Sequence, residues 1–391
     1  IYLLELRARG GHEANALAVL NIQRPRHSLV HSLAAAMSDA SPRSTTDDQS
    51  ASPTQTATTT PTPTLPSPPG PRPNGAFFRG PDGTYSLYHE LHGSGPHRLI
   101  MIMGFAATCR LFDRTANYLA STGEFTVLTY DHRGAGLSHS MPDVRQTSSM
   151  LASDALQLLE HLGWCHDGEG GVHVYGASMG GMVAQELAVM LLSRNLLSSL
   201  YLAVTCLQRY AVRLPFPPGF WNATLCPIVT SMSRERLAEE MLKSSYSQAY
   251  LEQIDAETQQ PRRVKLYQEV LDTWDVNMSW NSATIAAQSC VVGTHSLSDA
   301  SIERLNQSNV PIKVQIATED QAMPTELQRK LAARLRCSVI EFPGGHLECD
   351  MERFHAELRG HCLAASAGAT TAGSSDVMTP PSTTATHSAS S

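Results

Sequence analysis

The sequence predicts an α/β protein in which a mostly parallel sheet carries helices on both faces. Short apolar runs alternate along the chain with segments in which apolar residues recur every three or four positions. Some runs, such as 99–102 and 200–204, are apolar throughout, which is typical of strands buried on both faces of a sheet. Repeated strand–helix alternation predicts parallel strands joined by crossover helices.

The alternation starts near residue 76. Two short strands, at 77–78 and 84–89, flank Pro81-Asp82-Gly83, which predicts a β-hairpin. The later predicted strands lie at 98–102, 125–130, 172–176, 200–204, 310–316 and 338–342, with helices at 111–121, 147–162, 182–191, 324–335 and 348–359.

Between residues 204 and 310 the alternation stops and the pattern becomes helical. Ser233 is a predicted helix N-cap, and further on Val264, Tyr267 and Leu271 recur at spacings of three and four. About a hundred residues without structure are not expected inside a compact domain. We therefore expect a helical cap over about 207–305, at the sheet edge where such folds bind ligands. The alternative is a helical layer that only adds to the core.

Both ends of the chain have low-complexity composition. Ser, Thr, Pro and Ala dominate residues 38–74, so we predict disorder over 1–74 and over 363–391, with one folded domain at 75–362. Because the chain begins with Ile1 and Met37 is a plausible start, residues 1–36 are interpreted as a doubtful extension. Their excess of arginine leaves a mitochondrial transit peptide as the alternative.

Composition narrows the class of partner and the compartment. The net charge is −7 without a basic cluster, which argues against nucleic acid. No apolar run is long enough for a membrane span. The eight cysteines lack paired spacing, which favours reduced thiols over disulfides or zinc. We expect a cytoplasmic protein that acts on a small molecule without cofactor or metal; the sequence leaves its oligomeric state open.

The segment 172–181 contains the pattern Gly-x-Ser-x-Gly at a predicted strand–helix junction. Gly176 and Gly180 flank Ser178, as a sharp turn between strand and helix requires. Such a turn exposes the serine hydroxyl in a sparsely allowed conformation, beside the free N–H groups of the helix start. A glycine-rich turn without chemistry gives the same pattern, so the interpretation depends on partners elsewhere.

A nucleophilic serine needs a base, and the base needs a carboxylate that orients it. Both residue types follow predicted strands downstream of Ser178, in the order acid then histidine. Glu319 and Asp320 come after the strand that ends at 316, and His346 comes after the strand that ends at 342. Because parallel strands end at one edge of the sheet, we expect these side chains to meet there.

With these motifs the chain resembles the α/β-hydrolase superfamily, in its single-domain esterase and C–C-hydrolase-like branch with a helical cap. The resemblance spans about 77–359 and rests on the segments 176–181, 131–138 (Asp-His-Arg-Gly-Ala-Gly-Leu-Ser) and 345–346 (Gly-His). It implies the α/β-hydrolase fold and the roles of five residues. These are Ser178 as nucleophile, His346 as base, Asp320 as orienting acid, and Met179 and Phe105 as main-chain donors of the oxyanion hole.

The chain departs from the family pattern at two positions. Met103 stands where a histidine usually precedes Gly104, and Ala317 stands where glycine is usual. Since the oxyanion hole needs only a main-chain N–H at the next position, we expect activity to survive. Glu319 is the alternative to Asp320 as the acid.

The remaining predictions concern the pocket and the loop at 131–138. Trp221 and His295 are expected to line the substrate pocket, with a surface position as the alternative for His295. Asp131 and Arg133 are interpreted as residues that fix their loop.

The resemblance implies a serine hydrolase that cleaves a carboxylic ester of a small to medium apolar substrate through an acyl-enzyme. Epoxide hydrolase and dehalogenase chemistry is disfavoured, because those relatives carry aspartate at position 178. Two alternatives stay open: a hydrolase of C–C bonds in β-diketone-like substrates, and a ligand-binding protein that kept the fold without catalysis.

Overall fold

The computed structural model describes residues 70–141, 145–166, 171–207, 232–279 and 281–372. Within them one sheet has the strand order β1-β2-β4-β3-β6-β7-β8-β9, and β5 pairs with β2. The strands are β1 (Gly75–Arg79), β2 (Tyr85–His92), β3 (His97–Ile102), β4 (Phe125–Tyr130), β5 (His139–Ser140), β6 (Val172–Ala177), β7 (Leu197–Ala203), β8 (Ile312–Ala317) and β9 (Ser338–Phe342).

The sheet is mostly parallel, as predicted. β1 and β2 form the expected antiparallel hairpin, in which Phe77 faces Tyr88 across the ladder, and β2 is also antiparallel to β4. From β4 through β3, β6, β7 and β8 to β9, every neighbouring pair is parallel. The carboxyl ends of these six strands therefore lie at one edge of the sheet.

Eleven α-helices occur in the described residues, and none of them is long and apolar enough to cross a membrane. Side-chain caps begin several of them. The Thr147 hydroxyl accepts the N–H of Met150 at 3.1 Å, and the predicted cap Ser233 accepts the N–H of Arg236 at 3.4 Å. The helices are α1 (Asp113–Ser121), α2 (Ser148–His161), α3 (Met179–Leu192), α4 (Arg234–Ser245), α5 (Gln248–Glu252), α6 (Arg262–Asp272), α7 (Trp274–Asn277), α8 (Ser282–Thr294), α9 (Asp299–Gln307), α10 (Thr325–Leu335) and α11 (Met351–Ala372).

The core lies on both faces of the sheet. Side chains of β3 alternate between the two faces: Ile100 and Ile102 join the cluster under α2 and α3, whereas Leu99 and Met101 join the cluster under α1 and α11. All four are 1% exposed or less. A fully buried side chain of this kind stabilises the fold by roughly 1.5–3 kcal/mol. The two clusters confirm that helices cover both faces.

The insertion between β7 and β8 is helical, as predicted, in its described part. Its helices are α4 to α9, and residues 208–231 lie outside the described residues. The insertion also contributes to the core, because Ile302 and Leu305 of α9 are buried in the same cluster as Ile100. The alternative interpretation, a helical layer that adds to the core, therefore applies to α9.

The predicted disorder is wrong for residues adjoining the domain at each end. Arg72 forms ion pairs with Glu90 (3.2 Å) and Asp113 (2.7 Å). At the other end α11 continues to Ala372, and Ala365 is buried. The low-complexity composition of this segment predicts disorder, so the end of the helix was missed. Alanine is common in such segments, but it also has the strongest helix propensity. The predictions for 1–69 and 373–391 concern residues outside those described.

Candidate active site

Ser178 lies at the junction of β6 and α3 in a strained backbone conformation. Its φ is 56° and its ψ is −124°, a combination that costs a non-glycine residue about 1–3 kcal/mol. A Cβ on Gly176 would lie 2.5 Å from the carbonyl oxygen of Gly180, and one on Gly180 would lie 2.1 Å from that of Ile102. The glycines at both positions therefore permit the sharp turn, as the sequence predicts.

Neighbouring strands hold the strained serine. The Ser178 N–H donates to the carbonyl of Ala203 at 2.9 Å. The hydroxyl of Thr205, just past β7, donates to the Ser178 carbonyl at 2.7 Å. Thr205 also fills the space beside Gly181, where an added Cβ would lie 2.6 Å from the Thr205 side chain. No local sequence pattern indicates Thr205, because its hydrogen bond to Ser178 is a tertiary contact.

The acid loop after β8 presents Asp320, not Glu319, to the histidine. Asp320 Oδ2 accepts hydrogen bonds from His346 Nδ1 at 2.7 Å and from Gln328 Nε2 at 2.9 Å. Its other oxygen, Oδ1, accepts the N–H of Met323 at 2.7 Å, and the residue is only 6% exposed. Glu319 is exposed, and its main-chain N–H bonds the carbonyl of Gly344.

The hydrogen bond to Asp320 determines which nitrogen of His346 is available for chemistry. Nδ1 faces a carboxylate, so Nδ1 carries the proton and donates it, and Nε2 keeps its lone pair. The side chain is 11% exposed. Gly344, with a φ of 118°, and the closely packed Gly345 form the turn that presents the ring.

The three candidate side chains follow β6, β8 and β9 at one edge of the sheet. Packing also joins α3, the helix that begins after Ser178, to the acid loop, because Met182 of α3 lies in one buried cluster with Met323 and Cys206. The direct contact among the three is the bond between Asp320 and His346.

The loop after β3 passes close to the serine. A Cβ on Gly104 would lie 3.3 Å from Ser178 Cβ and 3.9 Å from Ser178 Oγ. Phe105 comes next and is half-buried. Met179 is the first residue of α3, so its N–H has no acceptor within the helix. The structure thus brings the chain at both predicted oxyanion donors beside Ser178.

His132 holds the main chain before Gly104. Its Nε2 lies 2.9 Å from the carbonyl oxygen of Met103, so Nε2 is protonated and donates. Complete burial lowers the pKa of His132 to about 4, and the ring is neutral near pH 7. The loop at 131–138 therefore supports the position where the chain carries Met103.

Asp131 and Arg133 both contact structural partners. The carboxylate of Asp131 accepts the N–H groups of Cys109 (2.7 Å) and Leu137 (2.8 Å). Arg133 forms a buried ion pair with Asp154, its Nε lying 2.6 Å from Oδ2. These bonds fix the loop, in line with the sequence interpretation.

Of the two predicted pocket residues, His295 lies in the described part of the chain and Trp221 does not. His295 is 1% exposed, so the surface alternative is wrong, and its Nδ1 lies 2.9 Å from the hydroxyl of Ser148 at the start of α2. Burial lowers the pKa of His295 to about 4. Its role in a pocket stays a prediction.

Within the described part of the chain, one group of metal-ligating residue types lies away from this site, on β2 and α1. Glu90, His92 and Asp113 are close enough to share an ion. However, Arg72 pairs with both carboxylates, and Arg110 Nε lies 3.2 Å from Glu90. Two guanidinium charges thus neutralise two carboxylates, and the group is an ion-pair network.

Comparison with known proteins identifies the family. The model of the alpha/beta hydrolase family matches residues 91–358. The chain belongs to this family. This membership makes the protein a hydrolase.

Solved structures of hydrolases are similar in fold. A hydrolase from Pseudomonas aeruginosa PA01 is 23% identical with a TM-score of 0.57, over 75% of this chain and 98% of its own. A thermophilic esterase from Thermogutta terrifontis is 21% identical with a TM-score of 0.58, over 74% and 98%. An enol-lactonase from Burkholderia xenovorans LB400 is 17% identical with a TM-score of 0.55, over 75% and 100%. At these identities the likeness concerns the fold.

Proposed function

We propose that this hydrolase is a serine esterase that cleaves a carboxylic ester of a small to medium apolar substrate. The observation that carries the proposal is the hydrogen bond from His346 Nδ1 to the buried carboxylate of Asp320, at the sheet edge where Ser178 occupies its strained turn. A serine nucleophile requires a histidine base whose tautomer a carboxylate fixes, and the buried Asp320 supplies that carboxylate.

In the acylation half-reaction Ser178 Oγ attacks the ester carbonyl carbon while His346 Nε2 takes the hydroxyl proton. The carbonyl oxygen becomes an oxyanion, and the N–H groups of Phe105 and Met179 stabilise its charge. Asp320 stabilises the imidazolium that forms. When the intermediate collapses, the C–O bond to the alcohol breaks, and the alcohol leaves with the proton from His346.

In the deacylation half-reaction a water molecule takes the place of the alcohol. His346 Nε2 removes a proton from this water as it attacks the acyl carbon. The second tetrahedral intermediate uses the same two donors, and its collapse returns the proton to Ser178 Oγ. The carboxylic acid leaves, and the site regains its starting protonation.

Contacts between cap and core support the proposed substrate size. The loop after β3 bonds to the cap, where the N–H of Thr108 donates to the carbonyl of Asn277 at 2.9 Å. The loop of His346 bonds to the cap through Leu347 N–H and the carbonyl of Ser245, at 2.8 Å. A cap joined to the core on two sides limits the acyl chain. Each methylene buried up to that limit contributes roughly 0.8 kcal/mol.

The experiment combines covalent labelling with ester hydrolysis. A fluorophosphonate probe is expected to label the purified protein once, and Ser178→Ala is expected to lose both the labelling and the hydrolysis of p-nitrophenyl esters. The matched control is Ser193→Ala, an exposed serine at the other end of α3, which should retain both. Full-strength labelling of Ser178→Ala would overturn the proposal.

A p-nitrophenyl ester series of increasing acyl length tests the substrate class. kcat/KM should rise from acetyl esters to medium chains and then fall. A rate that climbs to the longest chain and jumps on emulsions would indicate a lipase instead.

A further inference from the structure

A glutamine of the cap contacts the loop that carries the proposed oxyanion donor. Gln288 lies on α8 and is fully buried, with an exposure of 0%. Its Oε1 accepts a hydrogen bond from the main-chain N–H of Ala106 at 2.6 Å, across 182 positions of sequence. Ala106 directly follows Phe105, so this bond fixes the peptide unit between the two residues.

Ala106 has a conformation that it would not adopt without such support. Its φ is 55°, in the left-handed region that costs free energy for any residue other than glycine. Both of its main-chain polar groups bond to the cap, because its carbonyl accepts the N–H of Ser279 at 2.8 Å while its N–H donates to Gln288. The cap therefore determines the conformation of this residue.

The contact with Ala106 determines the orientation of the Gln288 amide. Because Oε1 must face the Ala106 N–H, Nε2 points the other way, and it has no hydrogen-bond partner among the described residues. An apolar side chain of similar length would avoid that unsatisfied donor, but it would leave the Ala106 N–H without an acceptor. The bond to Ala106 is what a glutamine supplies here.

We propose that Gln288 is a positioning residue that aims the Phe105 N–H at the oxyanion. The inference rests on the proposed function, since it assigns a cap residue to the same site. Without the Oε1 acceptor Ala106 relaxes from its left-handed conformation, and the main chain of Phe105, to which it is bonded, shifts with it. The Phe105 N–H lies in the preceding peptide unit, between Gly104 and Phe105, and a shift of Phe105 moves it away from the place where the negative charge develops. The transition state then loses stabilisation that the bound substrate never had.

The same helix offers a matched control. Thr284, one turn before Gln288 on the buried face of α8, donates its hydroxyl to the carbonyl of Gly134 at 2.6 Å. It thus joins the cap to the loop at 131–138 and not to the oxyanion loop. Gln288→Met and Thr284→Val each remove one hydrogen bond between α8 and a loop, with little change in volume.

The experiment measures steady-state hydrolysis of a p-nitrophenyl ester and hydrogen exchange of the peptide that contains residues 104–108. Removing an oxyanion donor altogether typically lowers kcat by about 10²–10³. Gln288→Met misdirects one oxyanion donor without removing it, so we expect it to lower kcat by about 10–100-fold with KM nearly unchanged. Exchange in 104–108 should accelerate. Thr284→Val should change neither kcat nor that exchange.

Other outcomes separate the two proposals. If Gln288→Met loses no more kcat than Thr284→Val, the positioning role is wrong. If Gln288→Met does not fold, Gln288→Asn, which withdraws the acceptor by one methylene and keeps the amide, carries the same expected loss. If the parent protein hydrolyses no ester, the proposed function fails, and unchanged exchange in 104–108 would overturn the positioning role by itself.

Discussion

Glu348 Oε2 accepts the main-chain N–H of Ser247 at 3.0 Å, although the two residues lie 101 positions apart. The same oxygen accepts the N–H of Gly345 at 3.0 Å. One carboxylate oxygen therefore joins the junction of α4 and α5 in the cap to the residue before His346. Since the histidine loop is held from the cap side by this contact, the cap contributes to the geometry of the base.

Glu348→Ala should loosen the loop of His346 and lower kcat. The two N–H groups lose their shared acceptor, and a displacement of about 1 Å at a catalytic group can cost on the order of 10² in rate. We expect a loss of about tenfold or more in ester hydrolysis. Glu352→Ala, an exposed glutamate on the first turn of α11, is the control and should match the parent. Equal rates for the two variants would contradict the link between cap and base.

Asp320→Asn should lower kcat by up to about 10⁴-fold, as loss of the orienting carboxylate does in a serine protease with a Ser-His-Asp triad. The variant keeps the shape of the side chain but removes the charge that fixes the His346 tautomer. Glu319→Gln should keep a kcat near that of the parent, because Glu319 is exposed and the carboxylate bonded to His346 is that of Asp320. Comparing kcat for the two variants decides the assignment, and the reverse ranking would transfer the role to Glu319.

The sequence predicted those parts of the site that have local causes. Gly176 and Gly180 are required by one turn, and His346 follows the last strand in a glycine turn. The family resemblance favoured Asp320 over Glu319, but the local pattern alone does not separate them, because the two adjacent residues share it and differ in burial. The contact between Gln288 and Ala106 joins residues 182 positions apart, so no local pattern indicates it.

In the fold, too, the features with a local sequence pattern were predicted, and the features that depend on tertiary packing were not. Apolar periodicity located the strands and the insertion, since each element has its own pattern. Periodicity did not show that α9 packs into the main core or that α11 passes residue 362, because both depend on what the rest of the chain offers as a packing surface.

His295 should make the protein less stable in acid. Burial lowers its pKa to about 4, whereas an exposed histidine in the unfolded chain has a pKa of about 6.5. Above pH 6.5 the ring is neutral in both states. Between pH 6.5 and about 4 the unfolded chain binds a proton that the folded protein does not, so stability is lost as the pH falls.

The measurement is urea unfolding at several pH values. One such group changes the free energy of unfolding by up to roughly 1.4 kcal/mol per pH unit within that window. His295→Gln keeps a hydrogen-bonding group near Ser148 and should reduce the slope by about that amount, whereas buried His132, whose pKa is also lowered to about 4, keeps its own contribution. His139→Gln, at an exposed position, should leave the slope of the parent. If the free energy of unfolding of His295→Gln changes with pH as steeply as that of the parent, His295 does not contribute to the pH dependence.

Deleting residues 363–391 should destabilise the protein, although the composition of that segment predicts a dispensable tail. Leu363 packs against the core cluster under α1 and α11, and Ala365 is buried. The hydroxyl of Ser366 lies 3.2 Å from His97 Nδ1 and 3.3 Å from His173 Nε2, at the amino ends of β3 and β6.

Loss of this apolar burial and these hydrogen bonds should lower the free energy of unfolding by roughly 2–3 kcal/mol, or about 5–10 °C in Tm. Deleting only residues 373–391 removes none of the described contacts and should leave Tm at the parent value. Differential scanning calorimetry of the two truncated proteins compares them directly. If both melt with the parent, the last turns of α11 contribute nothing to stability, and the domain ends near residue 362 after all.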